Sequence, residues 1–361
     1  MKTPASSTTQ DARPHLLDVT IEALTEWMVA AGQPAFRAKQ VLRWVYSSVV
    51  REFTEMSDLP AALREQLAGE FRWWTTRVVE HQTATDGTEK LLLELADGGR
   101  IECVLLRDGG RRSICVSSQV GCAMGCVFCA SGLDGVERNL SRGEILEQML
   151  LLRRLLPAEE RLSHIVMMGM GEPLANLDSV LGALEVARSP QGLGISPRRI
   201  TISTVGLPAA IARLARHNSP FHLAISLHAP NDALRTRIVP TNAKTGIDAI
   251  MAAADDYFQA TGRRLTFEYV LLDGINDSDQ CAHELVALLR GRVSMLNVIP
   301  YNPVAGLPYA TPATSRQHRF RAIIEAGGIN VQFRQRKGDS IDAACGQLRR
   351  KKSASLPVAK A

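Results

Sequence analysis

Ser113-Ile114-Cys115-Val116-Ser117-Ser118-Gln119-Val120-Gly121-Cys122-Ala123-Met124-Gly125-Cys126-Val127-Phe128-Cys129-Ala130 reads as a short strand, over 113–117, running directly into a cysteine-rich loop. Cys122, Cys126 and Cys129 follow one another at C-x-x-x-C-x-x-C spacing. Three thiolates this close suit one [4Fe-4S] cluster with an open iron. A structural zinc is the alternative, but it takes four ligands, commonly from two separated pairs, and no second C-x-x-C exists here. The colour of anaerobically purified protein separates the two.

Downstream of this loop, strand and helix patterns alternate. Candidate strands lie at 113–117, 164–168, 199–203, 222–227, 265–271 and 295–299, each followed by a helical stretch, with a further candidate at 329–334. Six βα units predict a parallel sheet with outer helices, an α/β fold in the form of an incomplete (β/α)6 barrel. The unusual loops all follow strands: SSQVGCAMGC, GMGEP, STVG, SLHAP, LLDGIND and IPYNP. In parallel barrels that end builds the active site.

Upstream, residues 16–75 read as a small helical module. Leu24, Trp27, Met28, Val41, Leu42 and Val45 recur at helical spacing, and Gly32-Gln33-Pro34 and Leu59-Pro60 punctuate it. Arg37, Lys39, Arg43 and Arg51 leave one side basic, as an ordinary solvated face also would. Thr88 to Leu106 holds two apolar runs around Asp97-Gly98-Gly99, a hairpin signal. The expected division is a disordered leader (1–15), a helical accessory domain (16–75), a β-hairpin extension (76–107), the partial barrel (108–340), and a final loop with a basic tail (341–361).

No apolar run approaches the roughly 18 residues of a membrane span. The start is rich in Thr, Ser and Ala without an apolar block, unlike a signal peptide. A cytoplasmic chain is therefore expected. Seven cysteines, odd in number and clustered, argue against a secreted disulfide framework. The net charge of +5 is uneven, because residues 329–361 alone carry +6 and the remainder −1. Such a segment is either a phosphate-binding surface or a solvated tail. No heptad repeat calls for assembly, so a monomer is expected.

Several residues gain interest only from sharing the strand C-terminal rim. Gly171 and Glu172 in GMGEP offer close backbone approach and a carboxylate for an ammonium group, or simply a tight turn. Ser203, Ser226 with Leu227 and His228, and Asn302 end later strands with small polar groups suited to ribose and carboxylate, or to capping. Met167, Met168 and Met170 read as packing, and Cys103 and Cys281 as buried small hydrophobes. By residue type alone Cys115 and Cys345 read the same way.

Taken together, SSQVGC with its three cysteines, MGMGEPL, TISTVG, AISLHAPND, RIVPTN, EYVLLDGIND, NVIPYNP and GDSIDAACGQL resemble the RlmN family of adenine methyltransferases, within the radical S-adenosylmethionine enzymes. The likeness runs from about Leu16 to Leu348. It implies methylation of adenine carbon 2 in 23S ribosomal RNA and in transfer RNA, using two S-adenosylmethionine molecules per turnover and an electron donor such as flavodoxin or ferredoxin. It also implies that GMGEP holds the methionine amino group, and that Gly171, Glu172, Ser203, Ser226, Leu227, His228 and Asn302 contact S-adenosylmethionine.

The catalytic roles come from the same resemblance. Cys345 takes a methyl group from the first S-adenosylmethionine, and a 5′-deoxyadenosyl radical from the second then removes a hydrogen from the S-methyl. The methylene radical adds to carbon 2, which lies between two ring nitrogens and is too electron-poor to attack a methyl cation equivalent. Glu102 acts as general base, although a strand Glu would otherwise be read as facing solvent, and Cys115 releases product by forming a disulfide with Cys345. The segment bearing Cys345 is expected to be a mobile loop reaching the barrel mouth. Arg334, Arg336, Lys337, the basic tail and the accessory domain are the expected phosphate contacts. The rivals are a Cfr-type carbon-8 methyltransferase, a glycyl-radical activase and a zinc-stabilised RNA-binding module.

Overall fold

The computed structural model describes residues 11–217, 221–334 and 337–348. Its strands are β1 (Arg77–Thr83), β2 (Glu89–Glu94), β3 (Arg100–Asp108), β4 (Arg111–Cys115), β5 (Gln119–Gly121), β6 (Val136–Asn139), β7 (His164–Met167), β8 (Ile200–Thr204), β9 (His222–Ser226), β10 (Leu265–Leu271), β11 (Ser294–Pro300) and β12 (Val331–Phe333). One sheet runs β1-β2-β3-β4-β7-β8-β9-β10-β11-β12, while β5 pairs with β6. Within the large sheet every pairing from β4 onward is parallel, and the separate β5–β6 pair is antiparallel. From β1 to β4 every pairing is antiparallel.

The six expected strands of the barrel are all present, shifted by at most a couple of residues, and the further candidate is β12. Each parallel step crosses through a helix: Arg142–Arg153, Leu177–Arg188, Pro208–Arg216, Ile247–Thr261, Asp279–Leu289 and Thr314–Ala326. The first of these starts on a reciprocal cap, with Ser141 Oγ accepting the Glu144 N–H at 3.2 Å and Glu144 accepting the Ser141 N–H at 2.9 Å. A cavity of about 370 Å³ is lined by β3, β4 and β7 residues on one side and β11 and β12 residues on the other. The sheet therefore curls until its two ends face each other, with the gap between them left unzipped.

Two expectations need correction. The extension is three strands rather than a lone hairpin: β1 adds to β2, and β3 joins the barrel through β4. β1 was missed because it is mostly exposed, with Val78 and Val79 open to solvent and no alternating apolar face. The leader also ends earlier than expected. Residues 1–10 lie outside the described residues, but His15 is buried, and its Nε2 lies 2.8 Å from the buried Glu147 on the first barrel helix.

In the accessory region, helices Ile21–Ala30, Phe36–Arg43 and Ala61–Glu70 bury Leu24, Met28, Val41, Leu63 and Leu67, with Val45 buried in the turn that follows the second. That helical face is the one the apolar spacing specified. It is fixed to the barrel at one place: Gly143 N–H donates to Asp18 at 2.6 Å, Arg142 donates to the Leu17 carbonyl at 2.8 Å, and Thr75 N–H donates to Glu147 at 2.6 Å. The basic side is partly neutralised, since Arg43 pairs with Asp58. Among the described residues no helix is long and apolar enough to cross a membrane.

Candidate active site

The cysteine loop sits at the C-terminal end of β4. Cys122, Cys126 and Cys129 are half-buried, and burial pushes Cys122 up to about 12 and the other two upward as well. The Cys129 charge adds to the rise at Cys122 and Cys126. Among the described residues no three His, Cys, Asp or Glu side chains converge on a single-ion site. That donor set suits a four-iron cluster, in which each thiolate takes a different iron, better than zinc. Thiols held neutral by burial release protons as metal enters.

The surrounding loops hold this one in shape. Phe128, between the second and third cysteines, packs edge-on against His228 at 4.9 Å, and Val127 N–H donates to the Ile238 carbonyl at 3.1 Å. His228 adopts a left-handed backbone (φ 60) and accepts the Val270 N–H on Nδ1 at 3.1 Å. Burial lowers its pKa to about 3, so the ring is neutral with its proton on Nε2. The buried Arg235 ties the β8 and β9 loops together, donating to the Val205, Ser226 and Leu227 carbonyls and to Asn242.

GMGEP is built differently from the sequence reading. A Cβ on Gly171 would lie 2.6 Å from the Gln119 side chain, and one on Gly169 2.7 Å from Ser117. These glycines make room for the neighbouring strand end. Glu172 is buried and accepts the Leu174 N–H at 3.0 Å and the Val205 N–H at 2.8 Å, one on each oxygen. Desolvation nonetheless raises its pKa to about 7, with Val205, Leu174 and Thr204 opposing. Ser203 and Ser226 lie side by side, Oγ to Oγ 3.4 Å, at the ends of β8 and β9. Leu227 is buried, with its N–H on the Glu268 carbonyl.

Cys345 arrives from 230 residues downstream of Cys115, and both line the cavity in the barrel gap. Its segment is pinned on one side to the cysteine loop, by Ala130 N–H to the Gly346 carbonyl at 2.8 Å and Ser131 Oγ to the Leu348 carbonyl at 2.6 Å. Asn302 donates to the Cys345 carbonyl at 3.1 Å, while its own Oδ1 is buried without a partner. On the other side the extension holds the segment: Gly338 N–H donates to Asp86 at 2.9 Å, Lys337 to Asp108 at 2.9 Å, and Lys90 to the Asp342 carbonyl at 3.1 Å. Both cysteines are free thiols, and burial raises Cys115 to about 12, with the Cys345 charge adding to it.

Three comparisons bear on this arrangement. Residues 14–72 match the ribosomal RNA large subunit methyltransferase N-terminal domain, and residues 116–285 match the radical SAM superfamily. The chain is 64% identical over 348 residues to a probable dual-specificity RNA methyltransferase RlmN of Rhodopirellula baltica, covering 96% of this chain and 94% of that protein. It is 44% identical over 331 residues to the dual-specificity RNA methyltransferase RlmN of Syntrophobacter fumaroxidans, covering 92% and 96%. A radical SAM methyltransferase crystal structure from Sphaerobacter thermophilus superposes with a TM-score of 0.91 at 43% identity, covering 93% of this chain and 99% of that one.

The chain belongs to the RlmN family. It is accordingly an S-adenosylmethionine-dependent RNA methyltransferase of the radical SAM superfamily, and the same matches favour RlmN over the Cfr-type rival. In an RlmN chain the position of Glu102 gains meaning, because it is not on the surface: it is 1% exposed and faces Lys90 at 3.1 Å. Its backbone carbonyl accepts from Ser117 Oγ at 2.6 Å, and that same oxygen accepts the Met170 N–H at 2.8 Å, so one serine links β3 to the GMGEP loop.

Arg334 was expected on phosphate and is instead largely buried, with Nη1 4.0 Å from Cys345 Sγ. The Cys345 charge raises its pKa, with Glu268 and Cys115 adding to the effect. Glu268, buried on β10, accepts from Asn297 at 2.6 Å, and desolvation lifts it to about 7. Lys337 is half-buried and bonds to the exposed Asp108 and to the Arg107 carbonyl. Arg336 and the tail at Arg349, Arg350, Lys351 and Lys352 lie outside the described residues. Sequence reasoning gave no role to Lys90, Ser117 or Arg235, although Ser117 opens the quoted SSQVGC and Arg235 stands just before RIVPTN.

Proposed function

We propose that this chain methylates carbon 2 of an adenine in 23S ribosomal RNA and in transfer RNA, with Cys345 as the methyl carrier. The observation that carries the reading is the meeting of Cys345 and Cys115 in one cavity beside the three-cysteine loop. A [4Fe-4S] cluster on Cys122, Cys126 and Cys129 would supply the electron that starts radical chemistry on S-adenosylmethionine, drawn from a flavodoxin- or ferredoxin-like donor. The chain's own residues do the rest.

Arg334 Nη1 stands 4.0 Å from Cys345 Sγ, the sulfur that attacks the methyl of the first S-adenosylmethionine. Asn302 fixes the backbone of the carrier, and its free Oδ1 faces the same crowded mouth. Glu102 takes the carbon-2 proton once carbon is joined to the base, and the adduct's unpaired electron would pass to an iron–sulfur one-electron acceptor held by the three cysteines. Cys115 then attacks Cys345 Sγ: the S–S bond forms, the S–C bond breaks, and the electron pair leaves with the product carbon, which picks up a proton. Ser203, Ser226 and His228 ring the mouth where the second S-adenosylmethionine would lie.

The target adenine has to leave its stack to reach this depth, so base extrusion accompanies binding. The accessory region and the basic tail are the phosphate contacts in this reading, and the chain acts as a cytoplasmic monomer. An anaerobic assay on total RNA, comparing wild type with Cys345→Ala and reading methyladenosine isomers, tests the whole proposal. It predicts 2-methyladenosine from wild type alone. The 8-methyl isomer would turn the reading to the Cfr type, and product from Cys345→Ala would remove the carrier.

A further inference from the structure

Lys90 has no role in the reading above, yet it is one of the least exposed charges in the molecule. It sits on β2 and is 3% exposed. In the β2–β3 register Lys90 opposes Val104 and Leu92 opposes Glu102, so Lys90 and Glu102 are diagonal neighbours on one face of the sheet. Lys90 Nζ lies 3.1 Å from Glu102 Oε1 and donates to the Asp342 carbonyl, also at 3.1 Å. Asp342 belongs to the segment that carries Cys345.

Burying a carboxylate without a cation costs enough that the group would sooner hold a proton. A protonated Glu102 cannot serve as a base. The ammonium 3.1 Å away favours the ionised form in a place water does not reach, and the Asp342 carbonyl occupies a second Nζ hydrogen, which fixes the direction of the remaining ones. Because that carbonyl is only three residues before Cys345, the cation is correctly aimed when the carrier segment is seated.

We propose that Lys90 is the positioning residue that keeps Glu102 a carboxylate and couples it to the seated Cys345 segment. This rests on the reading of Glu102 as the base. The step concerned is a proton transfer: the carbon-2 C–H bond breaks, its electron pair stays in the ring, and the proton moves to a Glu102 oxygen.

The test uses full-length, cluster-loaded enzyme with an RNA hairpin bearing the target adenine, and follows two quantities. One is methylation of Cys345 by S-adenosylmethionine, read by peptide mass, a displacement that requires no base. The other is the lifetime of the covalent protein–RNA adduct on a denaturing gel. Lys90→Met is expected to keep Cys345 methylation within about twofold, since Asp86, Asn302, Ala130 and Ser131 still hold the segment, and to lengthen the adduct lifetime by about tenfold or more. Its resolution rate should also rise with pH where that of the wild type is flat, and Lys90→Arg should restore most of the rate. In the double variant with Glu102→Gln, no further loss beyond Glu102→Gln alone shows that Lys90 acts through Glu102. Additive losses, or adduct resolution in Lys90→Met at the wild-type rate, overturn the inference. Wild-type adduct resolution in Glu102→Gln removes the base assignment itself, a failure distinguishable from the Lys90 result.

Discussion

The parallel barrel and the antiparallel extension solve different problems with the same kind of strand. At the barrel mouth each functional group stands within a few residues of a strand end, and short-range contacts hold it, as when Gln119 and Ser117 receive the GMGEP loop. The extension instead holds something remote: Asp86, Lys90 and Asp108 grip a segment more than 200 residues downstream. A rigid rim suits cofactor positioning. A set of separate side-chain clasps suits a carrier that has to be seated, used and released. In the reading proposed above, the extension would belong to the catalytic machinery, since it holds Glu102 and clasps the segment that bears Cys345.

The largest expected effect breaks this division at the carrier. Cys115→Ala should leave Cys345 methylation intact and stop release, so that a protein–RNA adduct accumulates on a denaturing gel; free product at the wild-type rate would mean that the two cysteines do not work as a pair. Next, Arg334→Met should slow Cys345 methylation by about tenfold, while Arg334→Lys keeps most of it, because Arg334 lies 4.0 Å from Sγ and lines the same cavity. An unchanged rate would return Arg334 to a purely structural place.

On the barrel side, Gly171→Ala sharpens the contrast. Its φ of 102° disfavours any side chain, and the new Cβ would meet Gln119. A loss of roughly 1–3 kcal/mol is expected in a melt, together with lower iron content after reconstitution, with Cys345 still clasped. The smallest effect concerns pH. Glu268 rises to about 7 from an ordinary 4.5. Its folded form therefore favours the proton, and the stability it contributes is full below about pH 4.5 and lost as pH rises through 7. Glu268→Gln should flatten the melting profile across that window by at most about 1.4 kcal/mol per pH unit, with Glu172 leaving a residual slope.

How much could be read beforehand follows the same line between near and far. The βα alternation and the place of the cysteine loop after its strand were legible because strand and loop lie within about ten positions of one another. β12 was legible too. What the linear pattern could not supply was register and long-range company: nothing in TEK tells that Lys90 faces Glu102, and nothing in FRQRK tells that Arg334 turns inward to Cys345 while its neighbours add to a basic run. For the two glycines of GMGEP the pattern left ligand approach and a tight turn open, and it could not show that a Cβ at either position would meet Ser117 or Gln119. Glu102 looked like a surface residue for want of the sheet edge that covers it.

The central claim is that the methyl group reaching RNA has first been bound to Cys345. Enzyme premethylated with methyl-deuterated S-adenosylmethionine, freed of excess and then run anaerobically for one turnover with unlabelled S-adenosylmethionine, tests it by mass spectrometry of the product nucleoside. The account predicts deuterium in the 2-methyladenosine of that first turnover. An unlabelled methyl group in the product, with deuterium still on Cys345, would contradict it.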